Sequence, residues 1–173
     1  MTKQVLSTFK IIKNKVLDFD IDESWVDWAI EMIEAGYESI NLYELASITR
    51  PYNQFELRYL TDKVLTDLEI NYKDKEIAIR NYACFIISKY IDRPDNYLKT
   101  LLELKSIYVD LDYEKEYCDF YLLYFAKYDI INYESQSYWI GANKENIDNI
   151  IKEQFQNFID KVDLNRRKTN AQH

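Results

Sequence analysis

Glycine and proline are nearly absent, with two of each in 173 residues. Sheets, barrels and hairpin-rich folds need glycine for turns with positive φ, so a chain this short of breakers points to helices. The single histidine is His173, the last residue, which removes Ser-His-Asp and Cys-His arrangements. The two cysteines, Cys84 and Cys118, are too few and too far apart for a disulfide scaffold or a zinc site. Both fall in apolar helical patterns and are expected to be buried free thiols in a reducing compartment. The glycines, Gly36 and Gly141, are isolated, so no Gly-rich phosphate loop exists. No apolar run approaches a membrane span. The opening MTKQVLSTFKIIKNK lacks the unbroken apolar region and small-residue cleavage site of a signal peptide. The expectation is a soluble, cytoplasmic chain with no metal, no cofactor, no nucleic acid and no membrane as partner.

One further absence is local. Between Lys15 and Arg50 there is no lysine or arginine, and the window holds nine acids: Asp18, Asp20, Asp22, Glu23, Asp27, Glu31, Glu34, Glu38 and Glu44. The formal charge of the whole chain is −8, so this window alone accounts for the excess. Nucleic acid requires a cationic surface, and only Arg166, Arg167 and Lys168 cluster as one.

What is present suits an all-α fold. A hydrophobic fraction of 47 % is that of a globular chain, and 173 residues suffice for one core without staples. A single domain is expected over 1–164, with a polar tail over 165–173. About eight helices follow from the 3.6-residue period. The first runs over 3–16 with Val5, Phe9, Ile12 and Val16 inward. The clearest covers about 24–35, where Trp25, Trp28, Ala29, Met32 and Ile33 form one stripe. Asp22 or Ser24 is its N-cap, and Gly36 stands where a C′ glycine belongs. Ser39 caps a short helix carrying Leu42, Leu45 and Ala46. Asn53 and Glu56 form a capping-box-like pair opening a helix to about Glu69, with Leu57, Leu60, Val64 and Leu68 inward. Asp74 starts the next, with Ile79, Ala83, Ile86 and Tyr90 on one side. Asp95 caps another carrying Leu98, Leu101, Leu102 and Leu104. A helix over about 113–128 presents Tyr117, Tyr121, Leu122 and Phe125. Residues 131–142 lack a helical period and suit a loop or a small hairpin. The last helix, about 145–163, uses Ile147, Ile151, Phe155, Phe158 and Val162. Short links favour antiparallel packing in an irregular multi-helix bundle, stacked helix pairs being one form it can take.

Asp18, Asp20 and Asp22 have the spacing that begins an EF-hand calcium loop, but Glu23 and Ala29 stand where that loop needs Gly and Glu. A phosphoryl-transfer aspartate pair would need an alternating α/β chain. A polar lead-in to a helix is the reading retained.

The acids on the 24–35 helix behave differently. Asp27, Glu31, Glu34 and Glu38 lie at i, i+4, i+7 and i+11, opposite the tryptophan stripe. Like charges at i, i+4 cost roughly 0.2–0.5 kcal/mol each, and Glu34 and Glu38 sit at the helix end the dipole disfavours for acids. Local helix stability therefore does not account for them. Solubility from net charge does, and so does a docking face for a basic partner. A second patch, Asp110, Asp112, Glu114, Glu116 and Asp119, interleaves with Tyr108, Tyr113, Tyr117 and Tyr121. Tyrosine is favoured at interfaces, and sixteen tyrosines exceed what one core needs.

The residues Trp28-Ala29, Met32-Ile33, Gly36 to Ser39, Leu42, Leu45-Ala46, Phe55 to Leu57, Glu76, Ala78 and Tyr82-Ala83 carry a resemblance. Over 24–90 the chain resembles a group of small all-helical bacterial proteins of undefined activity, some of them encoded beside toxins and immunity-like. The resemblance implies a toxin domain as partner and transfers no functional residue. The expectation is a non-enzymatic acidic binding protein, with Asp27, Glu31, Glu34, Glu38, Asp110, Asp112, Tyr113, Glu116 and Tyr117 as partner contacts. A helical scaffold with no toxin link is the alternative, and an enzyme using paired carboxylates the third reading.

Overall fold

The computed structural model describes residues 3–170, with side-chain environments for 3–164. Among these residues the chain forms eight α-helices and no strand. They are α1 (Thr8–Val16), α2 (Glu23–Glu34), α3 (Ile40–Ala46), α4 (Gln54–Asp67), α5 (Lys75–Tyr90), α6 (Tyr97–Asp110), α7 (Cys118–Tyr133) and α8 (Ile147–Asn170). Short 3₁₀ turns, Pro94–Asn96 and Lys115–Tyr117, lead into α6 and α7. No described helix is long and apolar enough to cross a membrane. The α8 backbone stays helical through the start of the expected tail. The side chains of Arg166, Arg167 and Lys168, and the whole of His173, lie outside the described residues.

Where one domain over 1–164 is expected, the chain groups into two compact units, Met1–Tyr82 and Ala83–His173, with the division inside α5. In the first unit, α2 supplies the centre of the core. Trp25 and Trp28 are 0 % and 1 % exposed and meet edge-to-face at 5.9 Å. Leu42 and Leu45 of α3 and Leu57, Val64 and Leu65 of α4 close around them. The Trp28 Nε1–H donates to Thr8 Oγ1 of α1 at 2.9 Å. In the second unit, α6 packs on α7 and α7 on α8. The centre is aromatic: Tyr97 and Phe120 both meet Phe155, at 5.4 and 5.8 Å, and Phe120 meets Phe158 at 5.3 Å.

Caps follow the sequence in part. Asp22 is the N-cap of α2, accepting from Ser24 N–H at 3.0 Å, and Ser39 caps α3. Asp74 accepts from Ile77 N–H at 2.9 Å. Asn53 stands at the N-cap of α4 without a side-chain bond. Its amide neighbour Gln54 instead pairs with both backbone groups of Ile21, at 2.8 and 2.9 Å. Asn96, not Asp95, is the N-cap of α6.

The glycine shortage shows at the helix ends. After α2, Gly36 has φ +90°, and the bonds Gly36 N–H to Ile33 O and Tyr37 N–H to Met32 O make a Schellman close. The same bond pair ends α1, α4 and α6, yet the left-handed residue there is Asp18, Glu69 or Asp112. A side chain in that region costs roughly 1–2 kcal/mol. Glu69 is exposed and makes no ion pair or side-chain hydrogen bond among the described residues. Glu69→Gly is therefore expected to raise stability by about 0.5–1 kcal/mol, less than the full strain because glycine also loosens the unfolded chain. A urea midpoint below that of the natural chain would contradict this.

The structure rotates two of the expected faces. On α1 the buried positions are Ile11, Lys13 and Asn14, while Phe9, Ile12 and Val16 are only half-buried. Lys13 lies between the rings of Phe19 and Tyr82, at 4.8 and 5.2 Å. On α7 the buried residues are Phe120, Leu123, Ala126 and Ile130, so Tyr121, Leu122 and Phe125 face partly outward. On α6, Leu102 is 43 % exposed, and Tyr97, Thr100 and Ile107 join Leu101 and Leu104 inside. Cys84 and Cys118 are half-buried, not buried. Residues 131–142 complete α7 and then form a loop, with no hairpin. Gln136 organises that loop, donating to Trp139 and Ala142 carbonyls and accepting from Tyr138 and Trp139 N–H.

Candidate functional site

The acidic window of the first unit divides in two. Its first half is partly compensated from α4 and the residues before it. Arg58 binds both Asp18 and Asp20, Arg50 reaches Glu23 at 2.9 Å, and Asp22 is occupied by its cap. Its second half is open. The stripe Trp25, Trp28, Ala29 and Met32 turns inward, so Asp27, Glu31 and Glu34 face solvent, as does Glu38 beyond the Schellman turn. Glu31 accepts from Ser7 Oγ. Among the described residues, Asp27, Glu34 and Glu38 make no ion pair or side-chain hydrogen bond. Asp27, Glu31 and Glu34 form an acidic row without a cationic partner along α2, and Glu38 is a further exposed carboxylate beyond its end.

In the same unit, Lys15 ties α1 to α4. Its ammonium lies 2.8 Å from Asp62, 3.1 Å from Thr61 Oγ1 and 3.3 Å from the Arg58 carbonyl. The Tyr72 hydroxyl donates to Asp62 at 2.7 Å. Partial burial pushes the Asp62 carboxyl up, but Lys15 and Tyr72 outweigh it and hold the group below the usual carboxylate range. The hydrogen bond to Asp62, then burial, pushes the Tyr72 phenol up to about 12. A phenol raised in the folded state adds stability at pH values below about 10. That contribution fades as pH climbs through about 12. In an ultraviolet titration, the difference between the natural chain and Tyr72→Phe is expected to show a phenol ionising near 12. Asp62→Asn should bring that step down toward ordinary tyrosine. A Tyr72 step already at the ordinary value in the natural chain would mean the bond to Asp62 does not persist.

The second acidic patch lies in the other unit and is less uniform than expected. Asp110 ends α6, and Asp112 and Tyr113 form the left-handed link after it, at φ 51° and 67°; all three are exposed. Glu116 is different: its side chain is 10 % exposed and lies 3.5 Å from Lys161. Tyr117 is 2 % exposed and packs on Phe158 at 5.7 Å. Glu116 and Tyr117 therefore anchor the lead-in to α7 and are not placed to meet a partner.

What the structure adds is a ladder of half-exposed rings. Tyr113 meets Tyr108 at 5.3 Å, Tyr108 meets Tyr121 at 5.0 Å, and Tyr121 meets Phe125 at 5.0 Å. From Phe125 the ladder branches to Tyr138 at 5.2 Å and to Tyr124, which stacks on Tyr128 at 6.1 Å. Lys105 lies over the Tyr124 and Phe125 rings at 4.7 and 5.0 Å. The spacing of Tyr121 with Phe125, and of Tyr124 with Tyr128, is a helical i, i+4 pattern visible in the sequence. It reads equally well as a core face.

A cleft of about 110 Å³ lies among Phe9, Asn71, Asp74 and Ile77. One of about 310 Å³ is lined by Lys127, Glu134, Lys144 and Asp148 with three isoleucines. There Asp148 is already tied to Lys127. No group of three or more Cys, Asp, Glu or His residues among the described ones could hold a metal. Among the described residues, the Asp62 and Asp67 carboxyls are both held low, the latter by Ser39 and Asn41. A general acid would need the opposite shift.

No family model, curated relative or solved structure matches the chain.

Proposed function

We propose that this chain is a non-enzymatic acidic binding protein that captures a basic protein domain and neutralises it by occlusion. A nuclease-like toxin domain is the partner class the charge suits, which would make the chain an immunity protein. The observation that carries this reading is the exposed row Asp27, Glu31 and Glu34 on α2, none of which has a cationic partner among the described residues. The arginines that pair with acids at the start of the same window do not extend along it, so the row is left uncompensated. Such a row adds little to fold stability, yet it raises the encounter rate with a cation.

A helical scaffold that binds through apolar contacts is favoured by a different observation: Ile40 and Phe55, in the same unit, are 86 % and 87 % exposed. The two readings differ in salt response. The test is capture from the native cell on the tagged full chain at low and moderate salt, read by mass spectrometry. One basic protein held at low salt and released at moderate salt supports neutralisation. A partner held equally at both, and lost on Phe55→Ser, would establish the scaffold instead.

A further inference from the structure

We propose that the aromatic ladder of the second unit is an arginine-recognising surface, seating guanidinium groups of a basic protein segment on its tyrosine rings. This rests on the reading of the chain as a binder of basic proteins and names the chemistry by which a second surface would take part.

Packing alone explains only the inner rungs. Tyr108, Tyr121 and Phe125 are half-buried and fasten α6 to α7. The outer rings are less well explained by that role. Tyr113, Tyr128 and Tyr138 are 64 %, 39 % and 42 % exposed, although each is held by contact with a neighbouring ring. Rings that are exposed yet already ordered lose little freedom on binding, which is what an anchor needs. The ladder also shows the kind of group it accepts. Lys105 already sits over two of its ring faces, the geometry of a cation on an aromatic quadrupole. At the Tyr113 end, Asp110 and Asp112 are exposed and make no ion pair among the described residues. Ring faces beside free carboxylates suit a planar cation that stacks and hydrogen-bonds at once. That favours arginine over lysine.

The experiment titrates the full chain with an oligo-arginine peptide and, separately, an oligo-lysine peptide of equal length, following backbone amide resonances. The expected result is tighter binding of oligo-arginine, with shifts at Tyr108, Tyr113, Tyr121, Tyr128 and Tyr138. The triple variant Tyr113→Leu, Tyr128→Leu, Tyr138→Leu keeps apolar bulk and removes the ring faces. It should weaken oligo-arginine binding about tenfold or more, at roughly two- to fivefold per exposed cation–π contact. Equal affinity for the two peptides, or no loss in the triple variant, would overturn the proposal. Glu31→Lys with Glu34→Lys separates the two readings. If that pair abolishes binding and the tyrosine variant does not, the α2 row stands and the ladder fails. If the tyrosine variant weakens binding and the pair does not, the ladder stands and the α2 row fails as a docking face. Absence of oligo-arginine binding would overturn the ladder proposal, while capture of a basic protein by the full chain would still support neutralisation.

Discussion

Trp25→Ala is expected to destabilise the first unit by about 3–5 kcal/mol, the range for emptying a fully buried large aromatic site. Trp25 is 0 % exposed and stands edge-on to Trp28, between the leucines of α3 and α4. The neighbours that could collapse into the space are themselves fixed. Trp28 is held by its bond to Thr8, while Leu42 and Leu45 lie on a helix of only seven residues capped by Ser39. A unit of 82 residues has a typical stability of roughly 4–12 kcal/mol, so this one change removes a large share of it. Urea unfolding followed by tryptophan fluorescence and far-ultraviolet circular dichroism gives the number. The variant Trp28→Phe provides the comparison. It keeps most of the volume but loses the Thr8 bond, and should cost about 1–2 kcal/mol. A loss below about 1 kcal/mol for Trp25→Ala would mean that α2 is not the centre of this core.

The helices were legible where one side of the period is clearly apolar and the other clearly polar. On α2 the tryptophan stripe fixes the phase, and the same phase places Asp27, Glu31 and Glu34 outward. On α8 every expected apolar position, from Ile147 to Val162, is buried. On α7 the period carries no phase, because Tyr, Leu and Phe occupy almost every side of Cys118–Tyr133. Two adjacent faces then compete, and the packing of α6 and α8 decides between them. On α1 the burial of Lys13 and Asn14 follows from tertiary neighbours, the rings of Phe19 and Tyr82 among them, that no local pattern announces. The acidic row shows the same limit. Its spacing is readable, but the pairing of Asp18, Asp20 and Glu23 depends on Arg58 and Arg50, which lie 27 to 40 residues away. Glu116 and Tyr117 read as partner contacts in the sequence, but the Lys115–Tyr117 turn before α7 sets Tyr117 on Phe158 and Glu116 beside Lys161, contacts more than 40 residues away that no local pattern announces.

Reversing Glu31 and Glu34 to lysine is expected to slow association with the basic partner by tenfold or more at low salt, leaving dissociation little changed. Two reversals shift the local charge by four units on a surface where Asp27 and Glu38 are the remaining neighbours, also exposed. Steering of this kind changes on-rates by about 10–10³-fold and fades as salt shortens the Debye length to about 8 Å at physiological strength. The difference between natural chain and variant should therefore shrink as salt rises. The fold should not suffer. Both positions are exposed, and reversal turns the i, i+4 repulsion between Asp27 and Glu31 into an attraction. It also places cations toward the helix end whose dipole favours them. Stability is expected to hold or to rise by a few tenths of a kcal/mol, offset in part by loss of the Ser7 bond to Glu31. A variant that folds as well as the natural chain yet associates tenfold more slowly identifies a row kept for binding at the expense of helix stability. Stopped-flow association with the captured partner decides it. An unchanged on-rate at low salt would reduce the row to a solvated face.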